Sequence, residues 1–345
     1  MENPKVSILI PTLNAGRVLE KCLNSISSQS YPKEYVEIIV ADGGSVDNTR
    51  EIAEKYSAKI IENTLKTGEA GKMEALKAAT GKYVALIDSD NILPEKDWLQ
   101  KMIKPLEENP QALGSEPIEY TWRKEDGFIA RYSALTGVND PLVIFLGNYD
   151  RKNLLTGKWT EVPHEEIDHD GYLLVKLSEK TLPTIGANGT IFRTEFLRSN
   201  ITGDYLFDID ILAKELEKSK KIEFIKVKIG IIHTFCESSV SKFIRKQIRR
   251  AQDFMFFQTS KNIRSYDWNT MDLFGSRPWG LIKFIISCVL VFPLIAQSLI
   301  GYSKKPDPAW FFHPLACEIT LFIYAWYRIF GKLYKKELDR KGWGQ

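Results

Sequence analysis

The stretch YVALIDSD, residues 83–90, decides how the rest of the chain is interpreted. Residues 83–87 form a short apolar run rich in β-formers, which is typical of a buried strand. The run ends in Asp88, Ser89 and Asp90, so two carboxylates one residue apart follow the strand. Ligands bind at the carboxyl ends of strands in open α/β sheets, and carboxylate oxygens suit Mg²⁺ or Mn²⁺. A solvated turn is the alternative, because Asp and Ser are common turn residues.

Three apolar segments precede this strand and alternate with helical patterns. Residues 6–10, 36–40 and 58–61 have the composition of strands, and apolar residues at helical spacing follow the first of them. A helix over residues 69–79 leads into the strand at 83–87. This alternation predicts an α/β fold with a mostly parallel sheet that helices cover on both faces.

Polar loops follow the first two strands as well. Their candidate site residues are Pro11, Thr12 and Asn14 after the first strand, and Asp42 and Ser45 after the second. Because parallel strands end at one edge of a sheet, these loops and the carboxylate pair are expected to converge on one cleft. Asn14 and Asp47 have a structural alternative, since such residues commonly cap the helix that follows them.

Composition places the chain among globular proteins. It has 345 residues, of which 44% are hydrophobic and 26% are charged, enough for one large domain with additions or for two domains. The net charge of +3 gives no electrostatic case for binding nucleic acid. The four cysteines lack the paired spacing of a disulfide framework or a zinc site, which fits a reducing compartment. The N-terminus lacks the pattern of a signal peptide.

Four segments together resemble the family 2 glycosyltransferases, which have the GT-A fold. They are ILIPTLNAG from residue 8, IIVADGGSVDNT from residue 38, GKMEALKAATGKYVALIDSDN from residue 71 and GANGTIFR from residue 186. The likeness is close over residues 4–110 and looser over residues 183–255. It implies that a sugar leaves a nucleotide-diphosphate donor, UDP- or GDP-linked, with the help of Mn²⁺ or Mg²⁺.

The resemblance implies roles for individual residues. Those on the nucleotide side would be Pro11, Thr12, Asn14, Asp42, Ser45, Lys72, Asp88 and Ser89. Asp42 would hydrogen-bond the base, and Lys72 would lie near phosphate. Asp90, together with Asp88, would bind the metal that bridges the diphosphate. Gly186 would let the backbone pass close to the donor sugar.

A second acidic segment, DYLFDIDIL at residues 204–212, matches the family's Glu-Asp-x-Asp-Leu pattern. Asp208 takes the position of the catalytic base, and Phe207 stands where the family usually has Glu. Inverting transfer needs a base that removes the proton of the acceptor hydroxyl. The structural alternative for Asp208 is an acid at a helix N-terminus, where negative charge is favourable.

Residues 241–256 predict a basic amphipathic helix, a pattern typical of a membrane surface. Gln247 and Arg250 match the Gln and Arg of the family's QxxRW motif, with Ala251 in place of Trp. We expect Gln247 and Arg250 to face the cleft near the diphosphate or the acceptor. The other basic residues of this helix are expected to meet anionic lipid.

The chain from residue 281 onward is strongly apolar. Residues 281–300, flanked by Trp279 and Tyr302, have the length and flanks of a transmembrane helix. Residues 309–330 are a second candidate, and a hairpin would return the basic tail to the cytosolic side. The alternative is a pair of buried or re-entrant helices that lie in the membrane interface.

These observations predict a GT-A catalytic domain followed by membrane elements. The parts are a catalytic domain over 1–235 (nucleotide half 1–110, acceptor half 111–235), interface helices over 236–279, a transmembrane hairpin over 280–334 and a basic tail over 335–345. We expect an inverting glycosyltransferase, attached to the cytoplasmic face of a membrane, that acts on a lipid-linked or other membrane-associated acceptor. The alternatives are a polyprenyl-phosphate glycosyltransferase, which needs no base, and an inactive membrane scaffold.

Overall fold

The structure, a computed structural model, describes residues 3–178, 182–201, 203–259 and 278–331. The strands of this part of the chain are β1 (Val6–Thr12), β2 (Val36–Asp42), β3 (Lys59–Glu62), β4 (Tyr83–Leu86), β5 (Asn91–Ile92), β6 (Ala112–Tyr120), β7 (Glu165–His169), β8 (Tyr172–Ser178), β9 (Thr190–Arg193) and β10 (Lys221–His233). The α-helices are α1 (Gly16–Ser27), α2 (Thr49–Lys55), α3 (Gly68–Ala78), α4 (Trp98–Glu108), α5 (Phe128–Thr136), α6 (Leu142–Leu146), α7 (Thr194–Asn200), α8 (Asp208–Ser219), α9 (Val240–Thr259), α10 (Pro278–Leu290), α11 (Phe292–Lys304) and α12 (His313–Phe330). Short 3₁₀ turns cover Lys33–Tyr35 and Pro308–Phe312.

The strands form one mixed sheet in the order β3-β2-β1-β4-β9-β6-β10-β8-β7, and β5 pairs with the end of β10. The four strands β1 to β4 are parallel, as the sequence predicts. The prediction of a mostly parallel sheet is wrong for the second half, where β9 runs antiparallel to both β4 and β6. β7 and β8 form an antiparallel hairpin, because a turn as short as theirs cannot return a strand in parallel.

Two apolar clusters lie on opposite faces of the sheet. Along β1, Ile8 and Ile10 belong to one cluster and Leu9 to the other, as the period of two along a strand requires. Helices α1 and α4 cover the first face with residues such as Leu23 and Trp98. Helices α3 and α8 cover the second face. Burial on both sides explains why these strands are continuous apolar runs.

The C-terminal apolar segment is bent. Helices α10 and α11 meet at Val291, whose φ is +61°, and their axes differ by 98°. Pro293 stands in the first turn of α11, and a proline cannot continue a preceding helix without kinking it. Among the described helices, none alone has both the length and the apolar character to cross a bilayer, and the bent pair has them only when its halves are taken together. The predicted single helix over residues 281–300 is thus broken at Val291, and the membrane crossing of this segment stays a prediction.

The C-terminal helices pack against the part of the chain that precedes them. Trp310 is fully buried in a cluster with side chains of α5 and α9. Asp307 accepts a hydrogen bond from Arg131 Nε at 3.0 Å, and the Tyr324 hydroxyl donates to Asp140. These contacts make α12 part of the same folded unit. The predicted basic tail over 335–345 lies outside the described residues.

Candidate active site

The loops after β1 and β2 meet, as the parallel register requires. The backbone N–H of Asn14 donates to Ser45 Oγ at 2.8 Å, and the N–H of Val46 donates to Asn14 Oδ1 at 2.9 Å. Thr12 Oγ1 donates to Asp42 Oδ1 at 3.0 Å. The predicted convergence of these two loops is confirmed.

The N-termini of α1 and α2 are not capped in the way that the sequence suggests. Asn14 adopts a φ of +49° and joins the two loops, whereas Ala15 occupies the N-cap of α1. Asn48 occupies the N-cap of α2, and the carboxylate of Asp47, one residue earlier, accepts the N–H groups of Thr49 and Gly16, each at 3.0 Å. One carboxylate therefore serves the first turns of both α1 and α2.

The carboxylate of Asp42 holds the loop that follows β2 in its conformation. It is 2% exposed, and its carboxylate accepts hydrogen bonds from the backbone N–H and the Oγ of Ser45 at 3.0 and 2.5 Å, and from the N–H of Gly44 at 3.2 Å. The saturated carboxylate fixes the turn that borders the cleft. The role of Asp42 in binding a nucleotide base stays a prediction.

A cavity of about 870 Å³ opens at this edge of the sheet. The predicted site residues that line it are Pro11, Thr12, Asn14, Lys72, Asp88, Ser89 and Asp90. Its Lys and Arg side chains are Arg17, Lys66, Lys72, Lys242, Arg245, Lys246 and Arg249, and its acidic ones are Asp47, Glu69, Asp88, Asp90 and Asp253. The excess of cations suits an anionic ligand such as a diphosphate.

The two carboxylates after β4 lie beside basic side chains. Asp88 pairs with Lys72 at 2.7 Å, and Asp90 lies 3.4 Å from His233 and 3.6 Å from Lys246. Burial alone would raise the pKa of Asp90, but the interactions with His233 and Lys246 outweigh it and keep the pKa well below its usual range. Asp90 is therefore ionised across the physiological pH range.

His233 is a site residue that the sequence interpretation missed. Its Nε2 faces Asp90 Oδ2, and its Nδ1 is buried without a hydrogen-bond partner among the described residues. It ends β10 after the apolar run of residues 229–232, the same arrangement that puts Asp88 after β4. A polar residue directly after an apolar strand was the signal that could have revealed it.

The residues around Asp90 fit a divalent cation. Asp88 and Asp90 keep 35% and 23% of their side chains exposed toward the cavity. In the described part of the chain, no group of three or more His, Cys, Asp or Glu side chains forms a metal cage. Mg²⁺ and similar ions are commonly held by one or two carboxylates together with substrate phosphates and water. Asp90, with Asp88 beside it, offers that kind of partial ligand set.

Asp208 is the first residue of α8. Its Oδ1 accepts the N–H of Ile209 at 3.0 Å, and its Oδ2 is buried without a partner among the described residues. Burial is the main reason why the pKa of Asp208 rises to about 7, although the charge of Lys72 opposes the rise. Lys72 lines the cavity and pairs with Asp88, whereas Asp208 is not among the lining residues and is linked to this side of the site through the charge of Lys72. A carboxyl group that titrates near neutrality is suited to act as a base.

The basic helix presents the opposite face from the one predicted. Lys242, Arg245, Lys246 and Arg249 line the cavity, at a spacing that places them on one side of α9. Gln247 and Arg250 lie away from it, and both donate to the carbonyl oxygen of Asn139, at 3.1 and 2.6 Å. The expectation that the other cations face lipid is therefore wrong for the four that line the cavity, and the role of Gln247 and Arg250 at the diphosphate or the acceptor stays a prediction.

Gly186 also lies outside the cavity lining. Its N–H donates to Glu116 Oε1 at 2.7 Å, in the loop that leads into β9. The end of this loop reaches the site through the N–H of Gly189, which donates to the carbonyl oxygen of Leu86 at 2.8 Å. The loop thus borders the strand end that carries Asp88 but stands behind the described cavity.

Comparisons with known proteins agree with this arrangement. Residues 7–130 match the model of glycosyl transferase family 2. The chain carries a glycosyl transferase family 2 domain. The matched residues contain β1 to β4, the carboxylate pair and Lys72, so the resemblance given by the sequence is confirmed for the nucleotide-binding half.

Two relatives and one solved structure extend the comparison. The chain is 30% identical over 141 residues to glycosyltransferase AglE of Haloferax volcanii, covering 39% of this chain and 46% of that protein. It is 33% identical over 106 residues to a dolichyl N-acetyl-alpha-D-glucosaminyl phosphate 3-beta-D-2,3-diacetamido-2,3-dideoxy-beta-D-glucuronosyltransferase of Methanococcus voltae, covering 29% of this chain and 33% of that protein. The chain therefore spans less than half the length of these relatives.

The solved structure is the mannosyltransferase PcManGT of Pyrobaculum calidifontis in complex with GDP-Man and Mn²⁺. It superposes with a TM-score of 0.52 at 17% identity, over 94% of this chain and 88% of that one. At this identity the likeness concerns the fold alone. It supports a GT-A type arrangement for the family 2 domain and the strands that follow it.

Proposed function

We propose that the chain is an inverting, metal-dependent glycosyltransferase, which moves a sugar from a UDP- or GDP-linked donor to a lipid-linked acceptor at the cytoplasmic face of a membrane. The proposal rests on the environment of the Asp208 carboxyl group. Its Oδ2 is buried and without a partner among the described residues, and its pKa of about 7 suits a base at neutral pH. The family 2 domain supports the assignment of a nucleotide-sugar donor.

The reaction requires one group to accept the proton of the acceptor hydroxyl. As the acceptor hydroxyl oxygen bonds to the anomeric carbon, the bond from that carbon to the nucleotide diphosphate breaks on the opposite face. Asp208 accepts the hydroxyl proton during the attack. The electron pair of the broken bond leaves with the diphosphate, whose charge needs neighbouring cations.

The cavity supplies such cations. Lys72 is buried beside Asp88, and α9 presents Lys242, Arg245 and Lys246 to the same space. These residues orient the diphosphate and stabilise its growing charge. A divalent ion bound through Asp90 and Asp88, with His233 nearby, would supply Lewis-acid neutralisation of the leaving group. The solved relative that contains Mn²⁺ and GDP-Man supports this choice of metal and donor.

The surface of the C-terminal helices supports membrane attachment. Trp279 on α10 is 72% exposed, Phe292 on α11 is 65% exposed, and Phe322 on α12 is 68% exposed. Exposed apolar surface on this scale is unusual for a soluble monomer and is typical of helices that lie in a membrane interface. Lys283 is exposed among these residues and provides charge for anionic headgroups. We therefore propose that the bent pair inserts into one leaflet as a wedge.

A lipid-linked acceptor follows from that position. The wedge packs through Phe284 against α6, so the lipid surface and the catalytic unit are in direct contact. The relative from Methanococcus voltae is named for a dolichyl-phosphate-linked sugar acceptor, which supports a sugar hydroxyl on a lipid carrier as the nucleophile. Such a hydroxyl has a pKa far above neutral and needs the base that Asp208 provides.

A second candidate function is transfer to a polyprenyl phosphate. The cations of α9 favour it, because they line the cavity and suit an anionic acceptor. A phosphate monoester has a second pKa of about 6 and is already ionised, so it needs no base. The two functions differ in their response to Asp208→Asn, which slows transfer to a hydroxyl and leaves transfer to a phosphate nearly unchanged.

The proposal is tested by nucleotide release from a panel of UDP- and GDP-linked sugars. The full chain in detergent or vesicles is expected to release nucleotide from at least one donor with Mn²⁺, and addition of a chelator is expected to stop it. Asp90→Asn is the site variant, and Asp168→Asn, an exposed carboxylate on β7 far along the sheet, is the matched control. Turnover by Asp90→Asn at the wild-type rate would overturn the metal assignment.

A further inference from the structure

A buried ion cluster lies behind the loop that borders the site. Glu116 on β6, Arg151 after α6 and Lys226 on β10 are each fully buried. One carboxylate oxygen of Glu116 pairs with Arg151, and the other pairs with Lys226. Two cations on one buried carboxylate are costly to desolvate, and apolar side chains would fill the same space at lower cost. The cluster therefore calls for a role other than stability.

The cluster forms hydrogen bonds with the loop before β9 at two points. Glu116 Oε1 accepts the N–H of Gly186 at 2.7 Å, and Arg151 Nη2 donates to the carbonyl oxygen of Asn188 at 2.5 Å. A Cβ at Gly186 would lie 3.3 Å from Arg151 Nη1, so the backbone passes directly over the cluster. Gly189 then bonds to β4, two residues before Asp88. The cluster thus fixes the path of the loop relative to the carboxylate pair.

The same carboxylate acts on Asp208. Beyond burial, Lys72 on α3 and the N–H of Ile209 lower the pKa of Asp208, and Glu116 on β6 and Asp210 on α8 raise it to a smaller extent. Glu116 is the member of this set that belongs to the buried cluster. Its charge is fixed in place by Arg151 and Lys226, so its effect on Asp208 is built into the fold.

A polar chain links the loop to the basic helix. Asn188 Nδ2 and Asn139 Nδ2 both donate to the Tyr120 hydroxyl, each at 3.3 Å. The carbonyl oxygen of Asn139 in turn accepts from Gln247 and Arg250 of α9. The loop held by the cluster therefore connects the β4 side of the site with the helix that lines the cavity.

We infer that Glu116 is a positioning residue for sugar transfer, which holds the Gly186–Gly189 loop in place and sets a fixed negative charge near Asp208. The inference rests on the proposed function. Glu116 does not itself touch the substrate, because its carboxylate is enclosed by Arg151, Lys226 and the N–H of Gly186. Its effect on the reaction is exerted through the loop and through the base.

The test compares the pH dependence of kcat in the wild type, Glu116→Gln and Glu119→Gln. Glu119 lies on the same strand and is exposed, which makes it the matched control. Nucleotide release is followed with the UDP- or GDP-linked sugar that the wild type turns over. In Glu116→Gln the acidic limb of the pH profile of kcat is expected to move to lower pH, because one negative charge near Asp208 is gone. The value of kcat is also expected to fall on the order of tenfold to a hundredfold, because the loop shifts. Glu119→Gln is expected to match the wild type.

A merely structural role of Glu116 would lower activity without moving the acidic limb of the pH profile. The inference is therefore overturned if the limb of Glu116→Gln stays in place or moves to higher pH, whatever the value of kcat. If thermal melting shows that Glu116→Gln is unfolded, Lys226→Met replaces it. Loss of that cation leaves the charge of Glu116 less compensated, so the limb is expected to move upward, and an unmoved limb overturns the inference. If the wild type and Glu119→Gln release no nucleotide, the proposed function itself fails and the inference falls with it.

Discussion

Replacement of Asp208 by Asn removes the proposed base while keeping the size and most of the polarity of the side chain. The structure places the pKa of Asp208 at about 7, so roughly a tenth of the wild-type enzyme has an ionised base at pH 6 and roughly nine-tenths at pH 8. Below this pKa the carboxyl is protonated and cannot accept the hydroxyl proton. The wild-type rate is therefore expected to rise with pH through about 7 and then to level off.

The size of the loss follows from the role of a general base. Such a base typically contributes on the order of 10²–10⁴-fold in rate, which corresponds to about 3–5 kcal/mol in the activation barrier. Asp208→Asn is expected to lose that factor at pH 8 and to lose the acidic limb of the profile. The fold is expected to persist, because the residue starts a helix and Asn remains acceptable near a helix N-terminus.

The assay is transfer of a labelled sugar at several pH values, with saturating donor and a short-chain lipid-linked sugar as the acceptor. Asp204→Asn, an exposed carboxylate four residues earlier, is the matched control and is expected to keep the wild-type profile. Thermal melting of all three proteins separates catalytic from structural effects. A rate for Asp208→Asn within a few-fold of the wild type at pH 8 would show that Asp208 is not the base.

Other predictions follow from the same geometry. Asp90→Asn is expected to abolish Mn²⁺-dependent turnover with little change in Tm, because it removes a metal ligand at the cavity wall; nucleotide release and melting measure both effects. Lys72→Met is expected to raise the donor KM and to move the acidic limb of kcat upward, since Lys72 lowers the pKa of Asp208; a limb that moved downward would contradict this. Phe292→Asp is expected to reduce co-sedimentation with phosphatidylglycerol vesicles about tenfold, and unchanged sedimentation would argue against the proposed wedge. Removal of residues 280–345 is expected to destabilise the catalytic unit and not merely to release it from membranes, because Trp310 is buried against α5; a truncated chain with the wild-type Tm would disprove this.

The parallel half of the molecule was predictable because local signals there agree with the global fold. Strands that are buried on both faces consist of consecutive apolar residues, and the polar residues that follow them lie at the cleft. Thr12, Asp42 and Asp88 could be located by this pattern, and so could His233 if the rule had been applied to β10. The antiparallel half lacks such a rule. The position of β9 between β4 and β6 depends on pairings between residues about 75–110 positions apart, which no local pattern reports.

The side chains of α9 show a different limit. The composition of the helix identified it as basic and amphipathic, but did not say which of its faces meets the cavity. The four cations of α9 that line the cavity share one face by their spacing, whereas Gln247 and Arg250 were assigned to the cleft from a partial motif match. The bend at Val291 was also hidden, because hydropathy measures the length of an apolar segment and not its direction. The position of Pro293 was the local sign of that break.

The proposed function depends on transfer of a sugar to a lipid-linked acceptor. It is tested most directly by incubating the full chain in vesicles that contain native membrane lipids with labelled UDP- and GDP-linked sugars and Mn²⁺, and then extracting the lipids. Label is expected to enter the lipid fraction with the wild type and with Asp204→Asn, and Asp208→Asn is expected to lose this incorporation on the order of a hundredfold or more. Nucleotide release without any label in the lipid fraction, or equal labelling by Asp208→Asn, would show that the proposed transfer does not occur as described.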